Sequence, residues 1–97
     1  MISMSDYNFG FLKNEAENLV MKELERQLNS YDKPICTCND CVLDMVTKTL
    51  NSVKPLYRVS LLGSLYTAQA MDEKEYATSL RESVFSAIEK VRKNPSH

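Results

Sequence analysis

The placement of three prolines constrains this chain more than any other feature. A proline lacks the backbone N–H that a helix interior needs, and it pushes the residue before it out of the helical region. Pro34, Pro55 and Pro95 each fall where an apolar periodicity breaks, and glycine occurs only twice in the 97 residues. The chain therefore divides into three helical stretches separated by short connections.

In the first stretch Leu12, Ala16, Leu19, Val20, Leu24, Leu28 and Tyr31 recur at helical spacing, while Lys13, Glu17, Lys22, Glu25 and Arg26 occupy the other face. This pattern predicts a long amphipathic helix over about residues 8–30, from Asn8 to Ser30, packed in a bundle. Phe11 and Met21 widen its apolar stripe beyond what one partner helix covers, which points to a second, intermolecular contact. The second helix is expected to begin among the cysteines, with Thr37 as cap and Asp40 near the positive end of the helix dipole. Val42, Met45, Val46, Leu50 and Val53 carry its stripe, and it should stop before Pro55.

After Pro55 the segment "LYRVSLL" alternates Tyr57, Val59 and Leu61 with Arg58 and Ser60, which suits a short strand. Gly63 and Ser64 permit a turn, and "LYTAQA" either pairs back as a second strand or runs as an extended connection. In the third helical stretch Asp72 and Glu75 form a capping-box-like start. Its apolar face is Tyr76, Ala77, Leu80, Val84, Ala87, Ile88 and Val91, and Asn94 and Pro95 end it. The expected architecture is a single domain, residues 1–97, mostly α, with three to four helices and a short strand or hairpin around residues 57–69.

A chain of this length buries only roughly 60–65% of the surface its unfolded form exposes, so dimerisation or a bound metal is expected to supplement the core. The net charge is -1 with acidic and basic residues interspersed, so no basic field for direct DNA binding is expected. No apolar run approaches the roughly 20 residues that cross a bilayer, so no membrane insertion is expected. The first residues also lack the charged and apolar regions of a secretory signal, and a cytoplasmic location is expected.

All three cysteines, Cys36, Cys38 and Cys41, lie within six positions. In a reducing compartment such a cluster is more often a metal site than a set of disulfides. Thiolates suit Zn²⁺, and a helix N-terminus favours the thiolate form, so a structural zinc is expected. For the fourth ligand His97, the sole histidine, stands beside Asp40, Asp44, a water or a residue from elsewhere in the chain. The competing structural role is three thiols packing as small apolar groups. A redox role for Cys38-Asn39-Asp40-Cys41 lacks the strand-helix context such motifs normally occupy.

The stretches "NLVMKELERQL" and "CTCNDCVLDMVTKTLNSVKPLYRVS" together resemble the late competence development protein ComFB family over about residues 14–61. Asp44 lies inside the second helix, and Leu50, Asn51, Pro55 and Tyr57 fall at the family's positions. The resemblance implies a small, mostly helical, dimeric, zinc-binding protein of the bacterial cytoplasm, whose relatives are encoded in some bacteria among genes for natural transformation. Cyanobacterial relatives are described as receptors for cyclic dinucleotides. The family pattern admits a fourth cysteine from later in the chain, and here none follows Cys41, so closure of the metal site must differ.

Two functions are therefore expected to compete. One is a regulatory receptor for a cyclic dinucleotide, cyclic di-GMP foremost, in which Lys54 and Arg58 meet the phosphates and Tyr57 a base. In their ordinary structural roles, Lys54 and Arg58 are exposed charges and Tyr57 belongs to the core. The other function is an accessory protein that docks an unidentified protein partner of DNA uptake without a small ligand. An enzyme is the least expected, for want of an internal histidine or a glycine-rich phosphate loop.

Overall fold

The structure is a computed structural model that describes residues 1–59 and 73–95. Among these, three helices carry the fold: α1 (Ala16–Ser30), α2 (Asn39–Leu50) and α3 (Lys74–Lys93). A two-stranded antiparallel ladder joins β1 (Lys13–Asn14) to β2 (Tyr57–Arg58), with Lys13 opposite Arg58 and Asn14 opposite Tyr57. A single 3-10 turn, Met4–Asp6, precedes it.

Each helix packs against the other two. The core is the set of stripes that periodicity marks out: Ala16, Leu19, Val20 and Leu24 from α1, Cys41 and Met45 from α2, and Leu80, Val84, Ile88 and Val91 from α3. Val53 and Leu56 close it from the connection after α2. Full burial of one such side chain stabilises by roughly 1.5–3 kcal/mol, more than any single exposed contact, so these stripes decide how the helices meet. Thr49 is buried among them because its hydroxyl donates to the Met45 carbonyl at 2.8 Å, which leaves no unpaired polar atom. Two polar contacts brace α1 against α3: the Tyr31 hydroxyl donates to Glu89, and the Gln27 side-chain amide donates to the Arg81 carbonyl at 3.0 Å.

The first helix starts at Ala16, eight residues later than the expected start at Asn8. The reason is Asn14, whose side-chain oxygen accepts from the backbone N–H of Ala16 at 3.1 Å and from that of Leu56 at 2.8 Å. Glu15 N–H donates to the Leu56 carbonyl at 2.8 Å as well. Residues 13–15 are thus held by the distant chain and lost to the helix, although Leu12 and Ala16 match its period. Phe11, Leu12 and Met21 are exposed.

At the other ends, α1 stops where Tyr31 turns extended ahead of Pro34, and α3 stops at Asn94. Lys90, Arg92 and Lys93 in the last turn of α3 oppose the negative end of its dipole. Helix α3 opens on Glu73 without a side-chain cap. The expected cap Asp72 and the second strand sought in "LYTAQA" lie outside the described residues, and the observed partner of β2 is β1. No helix among the described residues is long and apolar enough to cross a membrane.

Candidate metal centre

The loop that joins α1 to α2 brings Cys36 half-buried against the core, leaves Cys38 exposed, and passes Cys41 fully buried into α2. Cys38 is the N-cap of α2, with an extended backbone, and its sulfur accepts the N–H of Cys41 at 3.4 Å. Thr37, the expected cap, does not serve. The sulfur takes the place usually filled by a serine or aspartate oxygen, and it satisfies one of the helix's unpaired amides.

The Cys41 amide holds the Cys38 thiol below its ordinary pKa, with further help from the Cys36 thiol. Asp40 lies in the same first turn.

The three Sγ atoms lie within 4.8 Å of one another. A tetrahedral metal with metal–sulfur bonds of about 2.3 Å sets its sulfurs about 3.8 Å apart, so small side-chain rotations close this set around an ion. Among the described residues these three are the only cluster of potential ligands, and no carboxylate joins them. Asp44, a candidate fourth ligand, is half-buried with its carboxylate 3.4 Å from the Lys48 ammonium. His97 lies outside the described residues. Three thiols at the mouth of a helix can thus bind a metal ion through sulfur.

Lys54, Tyr57 and Arg58 follow α2. Lys54 is exposed, and its carbonyl accepts the Tyr76 hydroxyl at 3.0 Å. Tyr57 is 56% exposed and so is not a core residue, whereas Arg58 is half-buried and donates to the Tyr57 carbonyl. Leu56 is the apolar side chain of this segment that turns inward, because Asn14 and Glu15 grip its backbone from both sides.

Sequence reasoning missed an apolar cleft of about 620 Å³. Met4, Tyr7, Phe9, Phe11, Leu12 and Val59 line it. The density of aromatic and methionine side chains ahead of the first helix was the signal.

The family model for the late competence development protein ComFB matches residues 13–95. Among solved structures, the late competence protein ComFB from Bacillus subtilis is similar, with a TM-score of 0.74 and 26% identity, over 88% of this chain and 92% of that one. No curated protein matches this sequence. With a family match that runs from β1 to the end of α3 and a solved member that shares the fold, the chain belongs to the ComFB family.

Proposed function

We propose that this chain is a non-enzymatic regulatory binding protein of the cytoplasm, a homodimer with a structural zinc on Cys36, Cys38 and Cys41. Its ligand is a cyclic dinucleotide, cyclic di-GMP foremost, taken up by Lys54, Tyr57 and Arg58. The observation that carries this is the exposure of Tyr57, an aromatic ring left in solvent one residue before Arg58, where a core role would have buried it. A stacked base and a phosphate need that pairing of flat surface and cation. The apolar cleft that includes Val59, one residue after Arg58, supports a contact with a second copy there, so that a two-fold axis doubles the ligand-binding groups.

Isothermal titration against cyclic di-GMP, cyclic di-AMP and a linear dinucleotide tests the ligand. Binding of a cyclic form alone supports the receptor, and no binding of any up to about 1 mM, weaker than about -4 kcal/mol, overturns it. Light scattering coupled to size exclusion tests the dimer, which a strictly monomeric mass would sink.

The apolar cleft favours a second reading, an accessory protein of competence with no small ligand. The Bacillus subtilis relative is named as a late competence protein, which supports that context. Under this reading the cleft seats a protein partner, and substitutions there, such as Phe9→Ser, impair transformation while those at Tyr57 do not.

A further inference from the structure

Cys38 is exposed at the helix N-cap and Cys41 is fully buried one turn on, with the N–H of Cys41 held against the Cys38 sulfur at 3.4 Å. An accessible sulfur at a helix N-terminus with a shielded sulfur three residues later is the arrangement of a dithiol pair. Among the described residues the sheet that usually accompanies such a pair is absent, yet the local requirements are met by α2 alone. All three Sγ atoms lie within 4.8 Å, so a sulfur-sulfur bond of about 2.05 Å needs side-chain rotation and little backbone movement.

We propose that Cys38 and Cys41 are a peroxide-reactive dithiol, and that their disulfide and the bound metal are mutually exclusive states of one site. The thiolate of Cys38 attacks one oxygen of a hydroperoxide and breaks the O–O bond, which leaves a sulfenic acid on Cys38 and expels hydroxide or an alkoxide. That anion takes up from solvent the proton the thiol gave up and leaves as water or an alcohol. The Cys41 thiol then attacks the Cys38 sulfur. Its proton and the departing hydroxyl leave as water, so two thiols have given two electrons to one peroxide. Cys41 is the resolving partner because its backbone already lies against the Cys38 sulfur. The Cys36-x-Cys38 pair would close a ring one residue tighter, with more strain in the bridge. Oxidation removes two of three sulfur donors, and one sulfur cannot hold the ion. Reduction by a dithiol restores both thiols and the site.

The test treats the full chain, stripped of metal by a chelator, with hydrogen peroxide and maps the products by peptide mass spectrometry. The expected product is a monomer that has lost two hydrogens, bridged between Cys38 and Cys41, with Cys36 still open to alkylation. A dithiol reductant should reverse it. In the zinc-loaded chain, peroxide should release one zinc per disulfide formed, read by a chromogenic chelator. Cys36→Ser, checked for helix content by circular dichroism, should form the same bridge. A bridge that includes Cys36, cross-linked dimers as the main product, oxidation of Cys38 beyond the sulfenic acid without a bridge, or zinc retained after the bridge has formed would each overturn the proposal.

Discussion

The side-chain oxygen of Asn14 accepts the backbone N–H of Leu56 at 2.8 Å, across 42 positions of sequence, while it also accepts from the N–H of Ala16 at the start of α1. One side chain thereby decides where the first helix begins and where the segment carrying Tyr57 lies. Asn14→Ala leaves both amides without this acceptor. It should lower stability by about 1–3 kcal/mol, the usual consequence of stranding a part-buried donor. Urea unfolding should show a lower midpoint at unchanged slope.

Cys38→Ser separates the cap from the metal. Serine caps helices well, so the metal-free variant should unfold within about 0.5 kcal/mol of metal-free wild type. Its oxygen is a poorer partner for a soft ion, so metal content should fall. If the site takes zinc as proposed, the gain in melting temperature on adding zinc should be smaller for the variant than for the wild type. Elemental analysis beside paired thermal melts, with and without a chelator, checks both.

Glu23 sits on α1 with Arg26 donating to its carboxylate at 3.0 and 2.5 Å and Gln27 at 2.7 Å. The Arg26 hydrogen bond, ahead of the opposing effect of burial and the help of Gln27, holds its pKa below the ordinary 4.5. A carboxylate depressed in the folded state binds fewer protons there than in the unfolded chain, so its contribution is present above 4.5 and fades as pH falls through the folded value. Glu23→Gln should therefore flatten the acid side of the stability profile. Urea midpoints between about pH 6 and pH 3, a range that spans the ordinary carboxylate pKa, measure it.

Tyr57→Ala should leave the fold almost untouched, within about 0.5 kcal/mol, because the ring is mostly solvated. If the ring stacks on a base, the same substitution weakens cyclic dinucleotide binding by about 1–3 kcal/mol. Titration calorimetry on a variant with an unchanged melt is the measurement, and unchanged affinity would remove Tyr57 from the site.

Ile88 is fully buried at the centre of the α3 stripe. Ile88→Ala should cost about 2–5 kcal/mol, a large part of the roughly 5–15 kcal/mol that holds a domain of this size together. Chemical denaturation should show it, with the ligand-free oligomeric state followed in parallel.

The sequence by itself determined α3, the stripe of α1 and the body of α2. Their apolar residues recur at 3.6-residue spacing, and each stripe reports its own buried face without reference to the rest of the chain. It also placed three thiols within six positions, a stretch that could still span roughly 17 Å if extended, and the loop that caps α2 with Cys38 is what gathers their sulfurs within 4.8 Å. Only the tertiary structure decided the beginning of α1, because Leu12 and Ala16 obey the helical period and nothing local reveals that Leu56 will claim Asn14. The same long-range contact turned Leu56 inward and left Tyr57 and Val59 outward, against what an apolar alternation would suggest. Thr49 entered the core for a reason no hydropathy pattern carries, a hydroxyl that pairs with its own helix. The cap passed from Thr37 to Cys38 because the helix starts one residue later, where a sulfur rather than a hydroxyl meets the free amide. Periodicity is a property of neighbours, whereas a hydrogen bond across 42 residues exists only once the chain has packed.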